Sequence, residues 1–245
     1  MIVVGLVGGA GLLGQAFLNA ASKNPNIELI WCDQSQLDVK LGFRVTVGET
    51  VQQSIANINN FALEEFNKVP DFFFNCSYPR LTGKIDSNHL EEQTIDYVSS
   101  LASVQIQNVV EFNLAAYREY LAHNAKGSII SVGSIYGSMP PDFSIYEGTD
   151  KDVPLSYAIS KASLIQIVRF LAKRYVKSGI TFNVISFGGI SGTENTQFKV
   201  AYGKRVSSGS MIPPTDCGFV LTSLCSDFSK HLNGQNIIID GGFSL

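Results

Sequence analysis

The sequence predicts a doubly wound α/β fold, a parallel sheet of about seven strands between two layers of helices. Three observations carry the prediction. Short, near-continuous apolar runs recur along the chain, as strands buried on both faces require. Helical segments alternate with them, which is the pattern of a parallel sheet built from crossover connections. The first apolar run also passes directly into a glycine-rich turn that opens a helix.

Taken in order, Ile2–Val7 is apolar and β-rich, and a helix follows over 15–22. Ile27–Cys32 is the second strand, 43–47 the third, and 51–67 a helix. Phe72–Asn75 is a buried fourth strand, followed by a long helical stretch over 96–123. A strand over 128–133, a helix over 156–178 and a strand over 181–186 come next. A helix over 215–223 and a last strand over 236–240 complete the order. No linker, repeat or low-complexity tract divides the 245 residues, so residues 1–245 read as one domain.

Gly8, Gly11 and Gly14 fall where a dinucleotide-binding (Rossmann) turn needs them. They allow a tight bend, close approach of a pyrophosphate and close helix–strand packing. The phosphates would lie on the free N–H groups of the helix start, at Leu12 and Leu13. The second strand ends at Asp33, about 20 residues beyond the glycines, where a carboxylate holds the adenosine ribose hydroxyls. It would repel a 2′-phosphate, and no Arg or Lys adjoins it in the sequence. The expected cofactor is therefore NAD(H) in preference to NADP(H).

Tyr157 and Lys161 stand one helical turn apart, so phenol and ammonium share a face. An ammonium beside a phenol favours phenolate, which makes a group of pKa about 10 usable as an acid/base near neutrality. Ser134 ends the apolar run before them.

Bulk properties exclude several classes. The net charge is −3 and the basic residues are scattered, so neither nucleic acid nor an anionic membrane is an expected partner. Cysteines 32, 76, 217 and 225 form no C-x-x-C pair and read as reduced thiols of a cytoplasmic protein, the last two in an apolar helix. With three scattered histidines they make no metal site. The apolar N-terminus lacks the basic flank of a signal peptide, and no uninterrupted apolar run reaches membrane-spanning length.

The order of glycine turn, Asn75, Ser134, Tyr157-x-x-x-Lys161, Asn183-Val184-Ile185-Ser186-Phe187-Gly188-Gly189-Ile190 and Gly234-Gln235-Asn236-Ile237-Ile238-Ile239-Asp240-Gly241-Gly242 resembles the short-chain dehydrogenase/reductase family over essentially the whole chain. More narrowly, Asn75-Cys76-Ser77-Tyr78-Pro79-Arg80, Ser134-Ile135-Tyr136-Gly137 with 141–149, and Gly188-Gly189-Ile190 resemble the branch found in bacterial flagellin-glycan and nonulosonic-acid sugar pathways.

The resemblance implies an oxidoreductase acting on CH–OH groups, with a small alcohol or ketone as substrate. Tyr157 would exchange the proton, Lys161 would lower its pKa and hold the nicotinamide ribose, and Ser134 would hold the substrate oxygen. Asn75 and Ser77 would line the cofactor cleft. Gly188 and Ile190 would border the nicotinamide, with Thr193 reaching its amide. The family also implies a homodimer or homotetramer through the helices of 108–123 and 158–174.

Departures accompany the resemblance. Val7 replaces a threonine, Phe187 a proline, and Thr46 stands where an acidic residue often meets adenine. Gln105 is placed where the family has a proton-relay asparagine, with Asn108 and Asn113 as alternatives. These changes keep open a second class, a weak or inactive nucleotide-binding sensor or scaffold of the same fold.

The loop 138–154 spaces Ser134 from Tyr157 by 23 positions and is unusually long. Its Glu147, Asp150, Asp152, Phe143 and Tyr146 suit a polyhydroxylated ligand. Residues 190–212 form a second substrate loop, with a mobile lid over 196–212. Arg80 and Arg205 are candidates to meet a substrate carboxylate or phosphate.

Overall fold

The computed structural model describes residues 1–35, 40–81, 92–149, 152–192 and 194–245. Seven strands form one parallel sheet: β1 Ile2–Val7, β2 Ile27–Cys32, β3 Phe43–Arg44, β4 Phe72–Asn75, β5 Ser128–Ser134, β6 Thr181–Phe187 and β7 Asn236–Ile239. Their order is β3-β2-β1-β4-β5-β6-β7, with every pairing parallel. The order reverses between β1 and β4, and a crevice opens there at the carboxyl ends of the strands.

Helices cover both faces. α2 Val51–Phe66, α3 Ile95–Ala122 and α4 Leu155–Arg174 bury Ile55, Phe112 and Val168 with Phe73, Ile129 and Phe182 of the sheet. On the other face α1 Leu12–Ala21 and α6 Pro214–Ser223 cover Leu6, Trp31, Phe74 and Ile185. α1 and α6 touch closely because Gly218 has no side chain; a Cβ there would lie 2.1 Å from the Ala16 carbonyl oxygen.

Caps fix several helix starts. Thr50 accepts from Gln53 N, Thr94 from Tyr97 N, and Asn195 from Phe198 N at the start of α5 Thr196–Gly203. α2 ends where Asn67 turns left-handed at φ 53°. α4 is long and apolar enough, by length and composition, to cross a membrane. Its Leu164, Val168 and Leu171 are instead packed in the core against the sheet.

Some expected bounds shift. The first helix begins at Leu12, three residues before the expected start, because Gly11 serves as its N-cap. β3 stops at Arg44: Val45 N still bonds Trp31 O, but the chain then leaves the sheet edge. α6 ends at Ser223, so Cys225 lies beyond the helix. The 196–212 segment contains α5 rather than loop alone.

Candidate active site

The glycine turn is built from close approach. Gly8 sits at φ +90°, and both Gly8 N and Gly9 N donate to Cys32 O. A Cβ on Gly14 would stand 2.1 Å from Gly8 O, whereas one on Gly11 would meet only that atom, at 3.5 Å. Gly14 therefore serves packing, and Gly11 leaves room over the loop. α1 has no side-chain cap, so its first amides face the cleft without an intrahelical partner.

Asp33 shapes the same turn. Its Oδ2 accepts from Ala10 N at 3.0 Å and its Oδ1 from Ser35 N at 2.8 Å. Arg44 lies over the Trp31 ring and donates to Ser35 O at 2.7 Å, so a guanidinium comes near the end of β2 although none is near in sequence.

A cleft of about 790 Å³ runs from Asp33 across the glycine turn, Leu12 and Leu13 to Ser77, Tyr78 and Ile190. Val47 and Gly48 line its far end. Thr46, expected there, is not part of the lining; its backbone carbonyl accepts from Asn57 Nδ2 at 2.9 Å. Asn75, expected to line this cleft, instead lies behind it and holds two residues that do: it donates to Asn108 Oδ1 at 3.1 Å and accepts from Ser77 N at 3.0 Å.

A second cavity, about 290 Å³, is lined by Ser134, Tyr157, Gly188 and Gly189 with Tyr136, Tyr146, Asp152, Phe198 and Tyr202. Gly188 and Gly189 are flush against Tyr202; a Cβ at either would meet its ring or hydroxyl at 2.6 Å. Tyr157 stands between the two spaces. It lines the smaller one, and its ring lies 5.6 Å from that of Tyr78, which lines the larger.

The electrostatics correct one expectation. Tyr157 is held above the ordinary phenol value by burial, and the group that pulls it back is Ser134, through a side-chain hydrogen bond. Lys161 does not make that contact. Its Nζ donates to Val132 O at 3.0 Å, 5.5 Å from the Tyr78 ring centroid and 5.6 Å from that of Tyr157. Burial brings the ammonium down to about 8, opposed by Cys76. The i, i+4 spacing did place both groups on one face, but the nearer acceptor, a strand carbonyl, took the cation.

Behind Lys161 lies a cavity of about 20 Å³, lined by Asn75, Ser77, Tyr78, Gln105 and Asn108 among others, large enough for one water. Gln105 is buried, hydrogen-bonds the Tyr78 phenol and reaches Pro79 O at 3.4 Å. Asn113 faces elsewhere, donating to Val109 O and Ser131 Oγ. Of the three relay candidates, Gln105 and Asn108 reach this cavity.

Thr193 and Asp150 lie outside the described residues. Arg205, expected to await an anion, is held by Asp142 at 3.0 Å and donates to Ser144 Oγ at 3.0 Å. Arg80 lines the large cleft. The sequence reading passed over Tyr78 and Tyr136, although both fall inside the segments that carried the resemblance.

Comparisons with known proteins agree with this geometry. Residues 35–244 match the family described as enoyl-(acyl carrier protein) reductase. The chain is 26% identical over 258 residues to post-translational flagellin modification protein A of Campylobacter coli, covering 99% of this chain and 98% of that one. It is 26% identical to D-arabinitol 2-dehydrogenase (ribulose-forming) of Scheffersomyces stipitis, over 80% of this chain and 67% of the relative. Among solved structures, a short chain dehydrogenase from Leptospira borgpetersenii with bound NAD+ superposes with a TM-score of 0.80 at 28% identity, covering 100% of this chain and 93% of the other.

Proposed function

The chain belongs to the short-chain dehydrogenase/reductase family, and from that premise we propose an oxidoreductase that transfers hydride between NAD(H) and a hydroxyl or carbonyl of a small sugar-like substrate. One observation carries the reading: Ser134 and Tyr157 meet on the wall of the smaller cavity, with the Lys161 ammonium behind them and the larger cleft alongside.

The residues of the larger cleft fit a dinucleotide. Gly11 leaves open space over the turn, and the uncapped start of α1 suits a pyrophosphate. The negative charge of Asp33 disfavours a 2′-phosphate and supports NAD(H) over NADP(H), although both its oxygens already accept amides and the Arg44 guanidinium near the end of β2 works the other way. Gly188 and Ile190 flank the passage between the two spaces. A bound nicotinamide would supply or accept the hydride.

The chain's own work is proton transfer and orientation. Ser134 donates to the substrate oxygen, and Tyr157 exchanges a proton with it. Burial keeps Tyr157 protonated at neutral pH, so the resting phenol is ready to give its proton to a carbonyl oxygen; alcohol oxidation runs the transfer in reverse. Lys161 keeps positive charge beside the phenolate left behind. Residues 1–245 act as one domain, with 138–154 and 190–212 over the substrate. Exposed Leu121 on α3 and Ile159 and Phe170 on α4 support a homo-oligomer.

The test pairs NADH binding with turnover on a panel of alcohols and ketones. Tyr157→Phe is expected to bind NADH normally and to lose roughly 10²–10⁴-fold in turnover. Equal turnover in variant and wild type would end this reading. An enoyl thioester joins the panel because of the family description; turnover of it alone would replace the alcohol–ketone reading.

A further inference from the structure

We infer that the Tyr136 and Tyr146 hydroxyls form a paired reader for a second hydroxyl of the substrate, making the enzyme selective for polyhydroxylated over monohydric compounds. This rests on the reading of the Ser134–Tyr157 cavity as the substrate site and specifies what that site selects.

The two phenol oxygens are 2.8 Å apart. Tyr136 follows Ser134 by two residues, at the end of β5, and its N–H donates to Ser134 Oγ. Tyr146 arrives from the long 138–154 loop. Both line the cavity that Ser134 and Tyr157 line. Tyr157, Tyr202 and Asp152 line it as well, and burial raises both phenols. The polar atoms therefore converge on one space.

Hydrogen bonding inside the pair leaves work undone. One phenol donates to the other; the acceptor keeps its own O–H, and both oxygens retain lone pairs. In a partly buried wall that remaining donor and those acceptors need a partner. A substrate hydroxyl, at once donor and acceptor, completes the chain, and a methylene does not. The Asp152 carboxylate adds an acceptor for a further hydroxyl. Phe198, whose ring lies 5.1 Å from that of Tyr146, offers an apolar face for the C–H side of a sugar.

The loop that delivers Tyr146 is tied in place. Asp142 pairs with Arg205, Glu147 O accepts from Gln197 Nε2, and Ile145 is buried with Phe198, Tyr202 and Met211. Such fixing is what a specificity element needs, because a hydroxyl partner that wanders discriminates little.

The probes are cyclohexanol, cis-1,2-cyclohexanediol and myo-inositol, which share a ring and differ in hydroxyl number. Turnover with NAD+ and thermal shift in the presence of NADH are both measured, on wild type, Tyr136→Phe, Tyr146→Phe and the double variant. Phe keeps each ring, and the double variant removes both partners, so no orphaned phenol is left to disturb folding. The wild type is expected to favour the polyhydroxylated rings by roughly 10–100-fold in kcat/KM. That preference falls to near unity in the Phe variants. A preference unchanged in all three variants overturns the inference, as does equal handling of cyclohexanol and the diol by wild type. If nothing is turned over, thermal shift decides: polyol binding lost in the Phe variants upholds the pair while the oxidoreductase reading falls, and no polyol binding overturns the pair too.

Discussion

The two spaces beside Tyr157 are built by different means. The large cleft is framed by the ends of regular elements: the glycine turn at Gly8 and Gly11, the start of α1 at Leu12 and Leu13, and the chain just past β2 and β4 at Asp33 and Cys76. The small cavity is walled by side chains, above all Tyr136, Tyr146, Phe198 and Tyr202, brought together by the 138–154 loop and α5. A turn and a helix start present the same amides whatever the neighbouring residues are, so they suit an invariant ligand. A side-chain wall changes with each substitution, so it suits a selective one. The two should break differently when perturbed.

The sharpest contrast comes from two glycines that support the walls without lining them, Gly14 packed against the glycine turn and Gly148 in the 138–154 loop. Gly14→Ala forces a methyl to 2.1 Å from Gly8 O, backbone against backbone. The turn must open, at about 1–3 kcal/mol in stability, and NADH affinity is expected to fall at least about tenfold, since the 1.4 kcal/mol per decade rule applies to the displaced loop. Gly148→Ala in the loop meets only the flexible amide end of Gln197, at 2.7 Å, plus a strained φ of +70°. It should cost about 1–2 kcal/mol and leave NADH affinity unchanged. Fluorescence titration with NADH, alongside urea unfolding, checks both; equal losses of affinity would erase the distinction between the two walls.

How much was legible beforehand follows the same division. Gly8, Gly11, Gly14 and Asp33 were readable because backbone constraints leave a residue signature at fixed spacing. The strand pattern was readable because strands buried on both faces must be apolar throughout. The Tyr136–Tyr146 pair was not, since a contact across ten residues of irregular loop has no period. Nor was the Arg205–Asp142 pair, which joins segments far apart in sequence; the arginine alone read as an anion site. Lys161 was half legible. Helical spacing gave its face, but its acceptor, Val132 O, belongs to a neighbouring strand.

Lys161 stands at the seam between the two walls and is the place to ask what the site costs the fold. Its folded pKa of about 8 lies below the ordinary lysine value of 10.5. Between those values the unfolded chain binds the extra proton, so stability rises with pH there and the full penalty holds below pH 8. At about 1.4 kcal/mol per pKa unit the penalty is of order 3 kcal/mol, partly offset in any variant by loss of the bond to Val132 O. Lys161→Met is therefore expected to gain about 1–3 kcal/mol at pH 7, to show no such gain near pH 10.5, and to be inactive. Urea unfolding at the two pH values measures it; a variant less stable at pH 7 would mean that the bond to Val132 O and the two aromatic rings more than offset the cost of burying the cation.

Tyr78 belongs to the same seam, and here the effect is smaller. Its ring and that of Tyr157 lie on the Lys161 ammonium at 5.5 and 5.6 Å. A partly desolvated cation–π contact contributes about 0.5–2 kcal/mol, so Tyr78→Leu should lower turnover by about 2–30-fold, while Tyr78→Phe, which keeps the ring, stays near wild type. If the Phe variant falls as far as the Leu variant, the phenol's bond to Gln105 matters instead of the ring, and the water-sized cavity beside it becomes the element to probe.

The smallest effect lies within the side-chain wall. Arg205 is about half exposed and Asp142 less so, so their ion pair contributes no more than about 1 kcal/mol. Asp142 is held below the ordinary carboxylate value, first by the Ser144 hydroxyl and, more weakly, by Arg205. The stabilisation is therefore present above the unfolded carboxylate pKa and is lost as pH falls through the lower folded value. Arg205→Gln keeps a donor for Ser144 Oγ and removes the charge. It should leave unfolding nearly unchanged at neutral pH and NADH binding intact, yet raise KM for a polyol by a few-fold, because Tyr146 is carried by the loop this pair pins. Added salt should shrink the wild-type advantage toward the variant, as screening of an exposed pair requires. A KM that responds to neither the substitution nor salt would mean that the shared apolar cluster of Ile145, Phe198 and Tyr202 fixes the loop unaided.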